Sequence, residues 1–196
     1  MLDASLLLDQ FRACHALLDG HFQLSSGLHS PHYFQCALLF DDPTLGRRLG
    51  ASLAQAVRQA DVGEVVRVIG PAMGGIIAAY ELAAALGVRS AFAERDGEGQ
   101  MTLRRGFAVT RGERVIVCED VVTTGGSAAE VVRMLRAQGA EPVAVACIVD
   151  RSGGRSSLDL PLVSLVKAEV QAWPPETCPL CATGDTAIKP GSRPTP

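Results

Sequence analysis

The sequence predicts an α/β domain built on a buried, mostly parallel sheet with helices on both faces. Three observations carry this expectation. Val/Ile-rich runs without polar alternation recur at 65–69, 114–118 and 143–149, as in strands covered on both sides. Segments with helical character, 75–86 and 127–138, alternate with these runs. Finally, 196 residues at 47% hydrophobic suffice for one core without disulfide or metal staples, so a single domain is expected over 1–196.

The elements follow in order. Apolar residues at 6, 7, 11, 14, 17 and 18 form a stripe that predicts a helix over 3–18, closed by Gly20. Residues 21–35 read as two short strands around a Ser/Gly turn. Asp42 is an N-cap, and Pro43 takes the first helical position of a helix running to about residue 60. A strand at 65–69, a helix at 75–86 and a strand at 90–94 come next. A glycine-bearing turn at 96–100 joins the last of these to a strand at 101–105, so 92–107 reads as a projecting, mobile hairpin. Beyond Gly112 the pattern predicts a strand at 114–118, a helix at 127–138 stopped by Gly139, and strands at 143–149 and 162–167. From Trp173 onward Pro, Gly and Thr dominate, which predicts an irregular tail.

Composition narrows the function. A net charge of −3 argues against a generic nucleic-acid binder, which normally presents a basic face. No apolar run is long enough for a membrane span and the N-terminus lacks a signal-peptide layout, so a soluble, cytoplasmic chain is expected. Of six cysteines, only Cys178-Pro-Leu-Cys181 has metal or redox spacing. Zinc needs two further ligands, and no second CxxC or HxxxH supplies them. A thioredoxin-like pair belongs at a helix start near the front of the chain, not in a Pro-rich tail. The pair is therefore read as tail packing, and no metal ligand is assigned. The four histidines, at 15, 21, 29 and 32, lie far from any nucleophile-like motif, so no catalytic triad is assigned either.

In such sheets ligands bind outside the carboxyl ends of the strands. The run after Cys118 reads Glu119-Asp120-Val121-Val122-Thr123-Thr124-Gly125-Gly126-Ser127. Glycines let backbone N–H groups converge, hydroxyls add donors, and a helix N-terminus adds partial positive charge, which together make an anion cradle. It is not a Walker loop, because the lysine and its spacing are absent. The two carboxylates beside it suit sugar hydroxyls or a magnesium ion. A phosphate cradle next to acceptors for a diol fits a ribose phosphate.

A V-x-V-C strand followed by EDVVTTGGS resembles the 5-phosphoribosyl 1-pyrophosphate (PRPP) signature of type I phosphoribosyltransferases. The resemblance implies that fold, with a small N-terminal hood formed by 1–40 and the C-terminal tail. It also implies that Glu119 and Asp120 hold the ribose hydroxyls while Thr123, Thr124, Gly125, Gly126 and Ser127 wrap the 5′-phosphate, with Val121 and Val122 also in the PRPP site. Three further stretches are similar to the orotate phosphoribosyltransferase family. LSSGLHSPHYF (24–34) implies Tyr33 and Phe34 beside the orotate ring; the family resemblance also puts Thr123 of the EDVVTTGGS run in contact with orotate as well as PRPP. GPAMGG (70–75) implies that Met73 and Gly74 contact pyrophosphate. Asp150-Arg151 implies that Arg151 grips orotate, whose carboxylate a guanidinium fork matches. The C-terminal CPLC…KPGSR layout resembles a bacterial subset of the family.

The implied reaction transfers ribose 5-phosphate from PRPP to orotate, giving orotidine 5′-phosphate and pyrophosphate for UMP biosynthesis, with Mg2+ as cofactor. Glu119, Asp120 and Arg95 are the implied catalytic residues. Arg95 matches one basic position of the family's loop, which reaches the neighbouring site in a homodimer. Departures are visible as well. Ser25 stands where many members carry lysine, and Met73-Gly74 replaces a Tyr-Lys pair. The loop at 92–107 is short and holds neither Lys nor His, leaving Arg104 and Arg105 as further candidates, otherwise read as a strand-end pair on opposite faces. A purine-specific transferase, a ligand-sensing regulator and a protein with a vestigial site are the competing readings.

Overall fold

The computed structural model describes residues 4–24, 26–168 and 171–190. Its first helix, α1 (Ala4–Ala13), is shorter than the expected 3–18, and Asp3 lies outside the described residues. His15 turns the chain at φ 56°, and Leu17 already pairs with Phe34 across the antiparallel strands β1 (Leu17–Gln23) and β2 (His29–Phe34). Apolar residues at 14, 17 and 18 suit a helical stripe and a strand end alike, and pairing with β2 decides for the strand. β1 and β2 form a two-stranded sheet of their own.

α2 (Pro43–Gln59) begins as expected, with the Thr44 N–H donating to the Asp42 carboxylate at 2.8 Å. Then come β3 (Arg67–Pro71), α3 (Gly75–Leu86), β4 (Arg89–Arg95), β5 (Met101–Leu103), β6 (Arg114–Val122), α4 (Gly126–Ala137), β7 (Glu141–Asp150) and β8 (Leu162–Lys167). They build one six-stranded sheet in the order β5-β4-β3-β6-β7-β8, parallel except for β5. The central strand β6 shows why its sequence lacks polar alternation. Ile116 and Cys118 enter a core shared with Leu49, Leu53 and Leu82 of α2 and α3, while Val115 and Val117 enter a second core with Val131 and Leu135 of α4. All are fully buried, and each large side chain contributes about 1.5–3 kcal/mol.

Besides α1, β3 begins two residues later than expected and β7 two residues earlier, and three further differences bear on the site and the tail. β6 runs four residues past Cys118, because buried Val122 continues the pairing with β7 as far as Asp150. Glu119 and Asp120 thus stand on a strand, not in a loop. β5 stops at Leu103, and Arg105 sits in a turn at φ 56°. The tail is not wholly irregular: it holds a 3-10 turn (Pro175–Thr177) and a one-turn helix, α5 (Pro179–Ala182). Isolated bridges join Trp173 to His29 and Ile188 to Phe22, laying the tail against the outer edges of β2 and β1. No described helix is long and apolar enough to cross a membrane.

Candidate active site

β3 and β6 are neighbours, yet the chain leaves β3 toward β4 and leaves β6 toward β7, in opposite directions along the sheet. The segments after β3 and within the end of β6 therefore meet at the point where the winding reverses, the place such sheets offer to ligands. The approach is close. A Cβ on Gly74 would lie 2.7–2.8 Å from the Asp120 carboxylate atoms, and one on Gly75 would lie 2.7 Å from the Cys118 carbonyl oxygen and 3.1 Å from Glu119 Oε2. Only glycine permits the 70–75 segment to press against the acidic pair. Met73, at the tip of this segment, is 84% exposed.

Glu119 and Asp120 are half-buried, and burial pushes both carboxyls above their usual range, Glu119 to about 8 with the Asp120 charge adding to the rise. The Val121 N–H donates to Asp120 Oδ1 at 2.8 Å and opposes the shift only in part. Among the described residues neither carboxylate has a basic partner within 4.0 Å. Two crowded, uncompensated carboxylates of this kind favour a cation or a set of hydroxyl donors arriving beside them.

Beyond Val122 the chain turns at Gly125 (φ 81°) into α4. The first turn of α4 leaves its backbone N–H groups without intrahelical acceptors, and the Thr123, Thr124 and Ser127 side chains are exposed beside them. Here a cavity of about 250 Å3 is lined by Glu119 and by the 121–128 turn, including Gly126. The turn is braced from outside the motif: the Ser157 N–H and hydroxyl both donate to the Thr124 carbonyl at 2.9 Å. Leu158 packs so close that a Cβ on Gly125 would lie 2.9 Å from its Cγ.

A larger cavity, about 640 Å3, adjoins on the other side of Asp120 and shares Val121, Thr123 and Thr124 as its wall. The fold brings Tyr33, Phe34 and Arg151 together in its lining, beside Arg155, which no sequence motif singled out. The Arg151 guanidinium carbon lies 5.4 Å from the Phe34 ring centroid, a cation–π stack. Its Nε is buried with no hydrogen-bond partner among the described residues, while the Arg151 N–H donates to the Val122 carbonyl at 2.8 Å and so ties the residue to the end of β6. Neither Arg155 nor Ser157 is marked in the sequence, because both sit in a loop whose course only packing defines.

The basic residues of the 92–107 hairpin are placed differently from one another. Arg95 pairs with Glu130 of α4 at 2.8 Å, beside the cradle. Arg104 and Arg105 do not point to opposite faces: both approach Glu94, Arg105 with two bonds of 3.1 Å. Ser25 lies outside the described residues, as do 191–193 of the KPGSR stretch. The packing reading of Cys178 and Cys181 is also incomplete, since the fold brings His21 and His29 to them.

Comparison with known proteins points the same way. The phosphoribosyl transferase domain family matches residues 39–178. The orotate phosphoribosyltransferase of Carboxydothermus hydrogenoformans is 57% identical over 91% of this chain and 92% of that protein. That of Thermotoga maritima is 52% identical over 91% and 93%. Among solved structures, the orotate phosphoribosyltransferase from Aeropyrum pernix superposes with a TM-score of 0.71 at 28% identity, covering 83% of this chain and 94% of that one.

Proposed function

This chain belongs to the orotate phosphoribosyltransferase family, and we infer that it transfers the ribosyl 5-phosphate group of PRPP to N1 of orotate, giving orotidine 5′-phosphate and pyrophosphate in UMP biosynthesis. One observation carries this reading: the cavity at the 121–128 turn and the cavity holding Arg151 share Asp120's neighbours Val121, Thr123 and Thr124 as a common wall. A ribose bound across that wall has its 5′-phosphate in the 123–127 cradle and C1′ directed toward the base.

The residues divide the work accordingly. Glu119 and Asp120 hold the ribose diol and stabilise the positive charge that grows on the ring as the C1′–O bond breaks. No covalent nucleophile is needed, so rate comes chiefly from aligning two bound anions. Arg151, stacked on Phe34, forks the orotate carboxylate, with Tyr33 and Thr123 completing the base site. Met73 and Gly74 face the leaving pyrophosphate. The β1–β2 sheet and the tail act as the hood over the base. Magnesium fits the hard, uncompensated oxygen donors of Glu119 and Asp120, and when bound together with PRPP oxygens it would neutralise leaving-group charge as a Lewis acid.

The reading extends to a homodimer in which Arg95 serves the partner's pyrophosphate. Releasing Arg95 from Glu130 costs about 0–1 kcal/mol, because the pair is solvent-exposed. Met73, Ile77 and Tyr80 form an exposed stripe leading along α3, a surface suited to a second copy. Loss of orotate absorbance that requires both PRPP and Mg2+ is the expected assay result. Consumption of a purine base in place of orotate would overturn the assignment.

A further inference from the structure

We propose that His21, His29, Cys178 and Cys181 form a structural zinc site that fastens the C-terminal tail to the β1–β2 sheet. Their four potential ligand atoms all lie within 4.8 Å of one another, and three of the four residues are buried. His29 Nδ1, Cys178 Sγ and Cys181 Sγ lie 2.9, 3.5 and 3.7 Å from His21 Nε2, and Cys181 Sγ lies 3.2 Å from His29 Nδ1. A tetrahedral zinc with bonds of about 2.0–2.1 Å to nitrogen and about 2.3 Å to sulfur sets its ligands roughly 3.3–3.8 Å apart. The cluster is within a few tenths of an ångström of that figure on most edges.

Hydrogen bonding alone does not account for the arrangement. Three groups converge on His21 Nε2, and a single imidazole nitrogen either donates one bond or accepts one. An ion at the centre satisfies all four donors at once, as both thiols give up their protons to solvent. The outer shell is consistent with this. His21 Nδ1 is buried without a hydrogen bond among the described residues, and Asp185 Oδ2 stands 3.5 Å from it. Coordination through Nε2 keeps the proton on Nδ1, 3.5 Å from that carboxylate, and a nearby carboxylate is the usual support of a zinc-bound histidine. Two imidazoles and two thiolates favour zinc over magnesium or calcium, and four protein ligands leave no open position for catalysis.

The placement also explains what the ion is for. The cysteines lie between the two bridges that hold the tail, Trp173 to His29 and Ile188 to Phe22. The Ile188 N–H donates to the carbonyl of His21 at 2.8 Å, and His29 and Trp173 exchange bonds of 2.8 and 2.9 Å. Alone, these few backbone bonds are a weak anchor for a segment whose own regular structure is one 3-10 turn and a one-turn helix. Ala172, just before the first bridge, lines the cavity of Arg151, so the fastened tail forms part of the base site.

Elemental analysis of the full chain, purified without a histidine tag from zinc-containing medium, should find about one zinc per chain, falling below about a tenth in Cys178→Ser/Cys181→Ser. Should that variant fail to fold, cobalt exchanged into the wild-type protein decides by itself: thiolate-to-cobalt charge transfer and intense tetrahedral d–d bands support the site. Stripping the metal should lower the thermal midpoint by roughly 10 °C. The proposal is overturned by a wild-type chain without stoichiometric zinc, by a Cys178–Cys181 disulfide in the purified protein, by a double variant that keeps its zinc, or by a midpoint indifferent to metal removal.

Discussion

Removing the Arg151 side chain should separate orotate binding from PRPP binding. The guanidinium stacks 5.4 Å from the Phe34 centroid, and its buried Nε finds no partner among the described residues, so the fork is held ready for an anion from the substrate. Deleting a charge-assisted, bidentate hydrogen-bonded pair in a partly desolvated pocket costs about 2–4 kcal/mol, or about 30- to 900-fold in orotate affinity. The Phe34 stack is present without substrate, so its removal, worth about 0.5–1 kcal/mol, falls on stability and preorganisation. Arg151→Ala should therefore raise the KM for orotate in the absorbance assay by that factor while PRPP affinity, measured by calorimetry, changes less than about threefold. Arg151→Lys should recover only part, since an ammonium cannot fork. Equal damage to both substrates would show that Arg151 acts through the 122–125 turn, to which its backbone is bonded, and would refute the assignment.

Arg95→Ala and Asp120→Asn homodimers should each be nearly inactive, and mixing them equally should restore about a quarter of wild-type activity, because about half the dimers are mixed and each of those has one intact site; no recovery on mixing means that Arg95 serves its own subunit. Gly125→Val forces a β-branched residue to φ 81° and sets its Cβ 2.9 Å from Leu158 Cγ, so PRPP binding should vanish by calorimetry at a stability cost of at least about 1–2 kcal/mol. Glu119, raised from 4.5 to about 8, keeps a proton in the native state that the unfolded chain releases above about pH 4.5, so its contribution to stability falls as pH rises from there to about 8 and then levels off. In ligand-free protein Glu119→Gln should melt several degrees above wild type near pH 9 and close to it near pH 5; a pH-independent gap would contradict the burial argument.

The sequence by itself determined the alternation of strands and helices, since doubly covered strands must be apolar throughout and helices between them must carry a stripe. It also determined the glycine-bearing turn proposed to hold phosphate, because strand end, glycine turn and helix N-terminus are contiguous in the chain and need no distant partner. Boundaries were settled by pairing: Leu17 and Leu18 suit a helix or a strand until β2 lies alongside, and Val122 extends β6 because β7 continues beside it. Tertiary structure alone set β3 against β6, so that Gly74 admits the Asp120 carboxylate, and placed Arg151 over Phe34, a residue from the other end of the chain. The same holds for the four metal-ligand side chains. A zinc motif is legible when its ligands are close in sequence, but His21 and His29 stand on two strands of one hairpin and meet Cys178 and Cys181 only because the tail returns to that hairpin's edges. Local chemistry is written in neighbouring residues, whereas juxtaposition across the chain follows from which surfaces bury one another.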